Sequence, residues 1–301
     1  MAGSSFGLRN SSADTSETSR AMVQRCQKSF VRASTEPART PRIELSSPRL
    51  PRESAMIVTV CELPDDRKAF EDSWRQLAGH IESVHSGLVV LPDMAFSPWF
   101  ADAANVAAVR WSAAVAAHDA WEHRLAELGA AVVAGSRPID FGNERYDEGF
   151  IWDTEYGIRS VHAKASHDFV PLETHGVDVG FMIDSESWAR GERPYRRGEV
   201  DIVVMPRCTR AESFSERLAQ ACAVATATGA FAVSSNRSAP FEGQGWIVAP
   251  DGCVLGTTSE AQPFVSLEIA LPSERTAADR NRARPAPDWI DPLDTGVPNY
   301  D

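Results

Sequence analysis

The sequence predicts a layered α/β fold built around a mixed sheet. Short apolar runs of strand length alternate with stretches whose apolar residues recur at helical spacing. A turn signal, Thr154-Glu-Tyr-Gly157, separates two such runs in the manner of a hairpin. The chain has 301 residues, 43% of them hydrophobic and 24% charged, enough for one substantial core. Helices interleaved with strands and hairpins call for sheets covered by helices, with parallel and antiparallel neighbours.

The elements follow in order. Residues 56–61 form a short apolar strand. From 65 to 84, Phe70, Trp74, Leu77, Ile81 and Val84 fall three and four apart, giving one apolar helix face that stops at Ser86-Gly87. Residues 88–91 make a fully apolar strand ending at Pro92. An alanine-rich helix is expected over 103–128, closed by Gly129, with a strand at 130–134. The hairpin pairs 149–153 with 158–162. Strands at 177–183 and 201–205 precede a helix at 211–229, which carries Phe214, Leu218, Cys222 and Ala225 on one face. A strand at 230–234 and a final pair at 244–256 and 264–270 complete the domain.

Composition narrows the function. The net charge is −12, but residues 1–55 carry +4, leaving −16 for the remainder. An acidic body repels phosphate backbones, so nucleic acid is excluded as a partner. No apolar run approaches the roughly 18 residues that cross a bilayer. The five cysteines, Cys26, Cys61, Cys208, Cys222 and Cys253, are scattered and include no CxxC pair, a pattern of reduced thiols in a cytoplasm. Residues 1–55 are rich in Ser, Arg, Pro and Thr without periodicity and read as a disordered extension. Their basic character weakly resembles a transit peptide, and the plainer reading is an upstream extension ahead of Met56. The domain spans 56–271, and 272–301, dominated by Pro, Asp and Arg, reads as an extended tail.

The strand-end motifs are specific. Leu88-Val-Val-Leu-Pro-Asp-Met-Ala-Phe-Ser-Pro-Trp99 resembles the first signature of the nitrilase (carbon–nitrogen hydrolase) superfamily, in which a strand ends in Pro-Glu and the Glu is the general base. Ser160-Val-His-Ala-Lys164 is similar to the second, in which a hairpin delivers the catalytic lysine. Val179-Gly-Phe-Met-Ile-Asp-Ser-Glu186 is similar to the third, in which a strand ends in Ile-Cys-x-Glu and the Cys is the nucleophile. Asp201-Ile-Val-Val-Met-Pro-Arg-Cys-Thr209, Ser234-Ser-Asn-Arg237 and Gly243-Gln-Gly-Trp-Ile-Val-Ala-Pro-Asp-Gly252 continue the resemblance, in the family's order, over about 56–271. It implies an α-β-β-α sandwich with mixed sheets, no cofactor or metal, a small-molecule substrate, and a homodimer or higher homo-oligomer.

On this register the catalytic constellation is Asp93, Lys164 and Asp184. Asp93 keeps the charge of the family's glutamate with one methylene fewer, and Asp184 replaces the cysteine. A carboxylate is a far poorer nucleophile toward an amide than a thiolate. Two carboxylates around one ammonium are instead acid/base equipment, one able to hold a proton while the lysine stays charged. Only 20 residues separate Lys164 from Asp184, short for the family, and Glu173 stands nearest to the substrate-orienting glutamate of the missing loop. Trp99, Glu186, Trp188 and Cys208 are further candidates for the substrate pocket, although Trp99, Trp188 and Trp246 are equally read as core. His162 and His167 flank Lys164 without metal-ligand spacing.

Three readings stay open at this point. The first is an enzyme repurposed for acid/base chemistry such as cyclisation, dehydration, isomerisation or condensation. The second is a catalytically silent binding or partner subunit in which Asp184 merely neutralises Lys164. The third is retained amide or nitrile hydrolysis, with water activated by a carboxylate or with Cys208 recruited. Fold alone does not decide among them.

Overall fold

The computed structural model describes residues 54–100, 106–142, 144–164, 169–183, 186, 194–209, 214–241 and 243–271. Residues 1–53 of the extension expected over 1–55, the tail at 272–301, and the candidates Asp184, Trp188 and His167 lie outside the described residues, while Ser54 and Ala55 already belong to the first strand.

Two mixed sheets face each other. The first has the order β10-β1-β2-β3-β4-β5, with β13 also paired to β1. Its members are β1 (Ser54–Leu63), β2 (Leu88–Val90), β3 (Val132–Phe141), β4 (Glu144–Asp153), β5 (Gly157–Ala163), β10 (Asn236–Arg237) and β13 (Phe264–Leu271). The second has the order β12-β11-β9-β8-β7-β6. It holds β6 (Leu172–Thr174), β7 (Val177–Phe181), β8 (Ile202–Val204), β9 (Phe231–Ser234), β11 (Trp246–Val248) and β12 (Val254–Thr257). β1–β2–β3 and β7–β8–β9 run parallel, which sends their C-terminal ends to one edge of each sheet.

Alternation along the strands sorts side chains into layers. Val58, Val90, Val132 and Ile151 of the first sheet meet Val179, Phe181, Val204, Val233 and Ile247 of the second in a dry inter-sheet core. The opposite face of the first sheet presents Val89, Leu91, Val133, Phe150 and Trp152 to helices. That of the second presents Val203, Ala232 and Val248 to a helix. The result is an α-β-β-α sandwich.

Helix α1 (Arg67–Val84) forms where the spacing placed it, burying Phe70, Trp74, Leu77 and Ile81. Burying each such side chain contributes about 1.5–3 kcal/mol. Asp66 caps its N-terminus by accepting from the Ala69 N–H at 2.9 Å, and His85 ends it in a left-handed conformation. The alanine-rich segment is an α-helix, α2 (Ala108–Trp121), only as far as Trp121, and continues as a 3₁₀ helix over Glu122–Leu128. α3 (Phe214–Thr228) packs Leu218, Ala221, Cys222 and Ala225 on the second sheet.

The structure corrects the sequence reading in three places. The final pair of strands is not a pair. β11 and β12 form their own hairpin in the second sheet, while β13 crosses to the first and pairs antiparallel with β1 from Ser54↔Leu271 to Cys61↔Phe264. The short strand β6 was not anticipated, because three residues are too few for a period to show. The strands β3 and β4 run on to Phe141 and from Glu144, well beyond their apolar stretches, as a long hairpin whose polar end projects from the core.

Candidate active site

The site is assembled at the C-terminal strand ends, where the two sheets meet. β2 is followed by Leu91-Pro92, and Asp93 is completely buried. Its backbone is held at both its N–H and its carbonyl. The Asp93 N–H donates to the Arg207 carbonyl at 3.1 Å, and the Asp93 carbonyl accepts from Arg237 Nε at 3.3 Å and Nη2 at 3.2 Å. Arg237 also donates to the carbonyls of Met94 and Ser97 and pairs with Asp65. The carboxylate accepts from the hydroxyl of Ser136 on β3, which itself accepts the Met94 N–H at 3.0 Å. Met94 takes φ = 45°, a left-handed conformation that costs a non-glycine residue about 1–2 kcal/mol. The clamp of Arg237 and Ser136 offsets that cost and fixes the carboxylate.

Lys164 is positioned by an irregularity in the hairpin. Phe150 pairs with Ser160, but Gly149 pairs with His162 and Glu148 with Ala163, so Val161 is an extra residue on β5. Such a bulge reverses the alternation beyond it. Phe150 belongs to the helix-facing core and Val161 to the inter-sheet core. Past the bulge, His162 and Lys164 lie on the inter-sheet side together with Asp147, where regular alternation would have turned them toward the helix layer. Lys164 donates its backbone N–H to the Asp147 carbonyl at 2.8 Å, and its Nζ stands 3.9 Å from Asp147 Oδ2. The neighbouring Glu148 points to the other face, where it pairs with Arg137 at 2.8 Å and accepts from Ser160.

The second sheet contributes the end of β7. Gly180 is required there because a Cβ would run into the ring of Tyr195. The Tyr195 hydroxyl accepts from the Phe181 N–H at 2.7 Å and donates to the Phe181 carbonyl at 3.1 Å. The Phe181 ring lies over Gly149 of the first sheet, where a Cβ would come within 2.5 Å of it. Just beyond, Glu186 accepts from the Ile183 N–H at 2.7 Å, and its own N–H donates to the Ile183 carbonyl at 3.0 Å. The same carboxylate bonds His162 Nε2 at 2.8 and 3.0 Å, and the imidazole stacks on Phe169 at 4.5 Å. Ile183 and Glu186 are thus tied to each other, and Glu186 to the strand that carries Lys164.

The remaining candidates divide. Cys208 is buried, one residue past the Arg207 carbonyl that binds Asp93. Trp99 is partly buried in the loop after Asp93, its N–H donating to Asp65 at 2.8 Å and its ring 5.7 Å from the Arg237 guanidinium. Glu173 stands apart. It is exposed on β6 opposite Asp178, three residues before the end of β7, and closes its own hairpin by accepting from the Gly176 N–H at 3.0 Å. Three strand residues correspond to about 10 Å.

Other groups are structural. Arg207 is buried against Trp246 at 3.6 Å and donates to Ser234, Thr209 and the Gln244 carbonyl. Burial pushes the Cys61 thiol up to about 12. Cys222 packs within the α3 layer. Among the described residues, no group of three or more His, Cys, Asp or Glu side chains is arranged to hold a metal ion. Sequence reasoning missed Ser136, Asp147 and the His162–Glu186 pairing. The first two lie in strands with no motif of their own, and the pairing depends on a bulge that the hydrophobic pattern does not reveal.

No family model matches the sequence, and no curated protein does. Solved structures do. One is a mutant of the amidase from Nesterenkonia sp. AN1 carrying the acetamide moiety of fluoroacetamide on its active-site cysteine. It superposes with a TM-score of 0.59 at 17% identity, over 79% of this chain and 97% of the amidase. A second mutant of that amidase, in complex with butyramide, gives 0.59 at 17% identity over 76% and 94%. A CN-hydrolase superfamily protein from Xanthomonas campestris with an arsenic adduct in its active site gives 0.53 at 14% identity over 72% and 91%. The sandwich described above is the fold of these proteins.

Proposed function

We propose that this chain is an enzyme that transforms a small molecule by acid/base chemistry on the carbon–nitrogen hydrolase fold, without a thioester intermediate. Asp93 and Asp184 exchange protons with the substrate, and Lys164 stabilises the negative charge that develops. Cyclisation, dehydration, isomerisation and condensation all suit that equipment. The observation that carries the reading is the construction around Asp93. A completely buried carboxylate with a hydroxyl donor and a backbone held by two arginine-directed contacts is costly to maintain. Burial of a carboxyl group at a strand end is one way a site sets it up for proton transfer.

A thioester route needs a thiolate. With its thiol pushed up to about 12 and its side chain in the helix-facing core, Cys61 supplies none at neutral pH. The test is a screen of amide, nitrile, carbamoyl and unsaturated carbonyl substrates by mass spectrometry, repeated with Asp184→Asn. Turnover lost in a folded Asp184→Asn chain supports the reading. Turnover unaffected by it removes Asp184 from the chemistry, and no turnover of any class favours a silent binding subunit.

One observation favours a second reading. Cys208 is buried and follows directly on Arg207, whose carbonyl accepts from the Asp93 backbone N–H. The amidase from Nesterenkonia is modified by fluoroacetamide at its cysteine. A fluoroacetamide adduct on Cys208 that depends on Asp93, together with acid released from a simple amide, would support amide hydrolysis in place of acid/base chemistry. We also propose a cytoplasmic homodimer. The fold and the scattered thiols support this, and no helix among the described residues is long and apolar enough to cross a membrane.

A further inference from the structure

We propose that Asp147 is a positioning residue that keeps the Lys164 ammonium charged and turned toward the junction of the sheets, so that Lys164 works as a hydrogen-bond donor and not as an amine nucleophile. The proposal rests on the reading of Lys164 as the cation of the site and adds to it a residue outside the Asp93–Lys164–Asp184 constellation.

Three observations converge. Asp147 is 9% exposed and Lys164 Nζ lies 3.9 Å from its Oδ2. The backbones of the two residues are joined by the Lys164 N–H to Asp147 carbonyl bond at 2.8 Å. The extra residue Val161 sets the register that brings them opposite each other, since unbulged pairing would put Ala163 there. Asp93, which accepts from Ser136, and His162, which bonds Glu186, are the neighbouring titratable groups on this face. A carboxylate at this distance favours the protonated lysine. Schiff-base formation requires the free amine, so carbonyl chemistry through an imine is disfavoured in this site.

The sequence makes the test clean, because it contains three lysines, Lys28, Lys68 and Lys164. Lys68 is exposed on α1 and serves as the internal reference. Trace acetic anhydride is reacted with the full chain across a pH series, and acetylation at each lysine is read by peptide mass spectrometry. In the wild type the half-reaction pH of Lys164 should lie above that of Lys68. At pH 9, Asp147→Asn should raise the Lys164-to-Lys68 ratio about three- to ten-fold, equivalent to half to one pKa unit. Asp147→Glu should restore a ratio close to wild type. An unchanged ratio in Asp147→Asn overturns the proposal. If that variant does not fold, the wild type decides alone, since a Lys164 half-reaction pH at or below that of Lys68 overturns it equally. No substrate is involved, so a chain without turnover but with this coupling intact would count against the acid/base reading only.

Discussion

The backbone N–H of Asp93 donates to the carbonyl of Arg207 across 3.1 Å, joining the end of β2 in one sheet to the end of β8 in the other. That bond spans the seam at which the site is built. Each sheet is a self-contained ladder, and the two are joined at this edge by a small number of contacts: the polar ties Asp93–Arg207 and His162–Glu186, and the packing of the Phe181 ring over Gly149.

The loop that carries Asp93 to this seam is held in turn by Arg237 of its own sheet, and loosening it should show in stability. Arg237→Met deletes the donors to the carbonyls of Asp93, Met94 and Ser97 and the partner of Asp65. The expected loss is on the order of 3 kcal/mol, from stranded carbonyls and a broken buried ion pair. Urea unfolding should show it as a lower midpoint at unchanged slope. A shift under about 0.5 kcal/mol, the range of ordinary surface substitutions, would show that the loop holds itself.

Gly180→Ala should be disruptive out of proportion to its single methyl. The Tyr195 ring occupies the volume a Cβ needs, and Tyr195 also bridges the Phe181 N–H and carbonyl. Overpacking of this kind costs about 1–3 kcal/mol. The double variant with Tyr195→Leu should recover part of the loss in thermal melts, and purely additive losses would mean that the ring is not what excludes the methyl.

The five thiols should differ sharply in reactivity. With its thiol at about 12, Cys61 has roughly one thiolate in 10⁴ at pH 8. Iodoacetamide at that pH should alkylate the partly exposed Cys253 long before Cys61, as read by peptide mass spectrometry. Comparable rates would place Cys61 in an open, activated setting that the structure does not have.

Acid should weaken the fold through His118. Burial lowers it from 6.5 to about 3, and the hydrogen bonds agree with a neutral ring: Nδ1 bonds the Ala114 carbonyl at 2.8 Å and Nε2 accepts the Phe96 N–H at 3.4 Å. Because the folded value lies below the unfolded one, the unfolded chain binds more protons between pH 6.5 and 3. The stabilisation is complete above pH 6.5 and is lost as the pH falls through that window, at up to about 1.4 kcal/mol per pH unit. His118→Gln should flatten the pH dependence of unfolding between 6.5 and 4. An equally steep curve in the variant would assign the acid sensitivity to other groups.

Much of this was legible in the sequence. The apolar spacing of Phe70, Trp74, Leu77 and Ile81 determined a helix and the face it buries, because burial of that stripe outweighs any local preference. The strands 88–91, 201–205 and 230–234 announced themselves as apolar runs buried on both faces. Asp93 and Lys164 were legible as strand-end residues for the same reason, since each follows a run whose end is marked by Pro92 or by a hairpin.

What the sequence could not carry is relative placement across the sheets. β13 looked like the partner of its neighbour in the chain and pairs instead with β1, more than 200 residues away, because pairing is chosen by which apolar face completes a core and not by proximity in sequence. Asp147 became a partner of Lys164 only through the extra residue at Val161, and Glu186 a partner of His162 only through the stacking of two sheets. A one-residue change of register leaves the hydrophobic pattern almost intact while turning every later side chain to the opposite face. Composition and periodicity therefore determined which groups this protein has, and tertiary packing alone decided which of them meet.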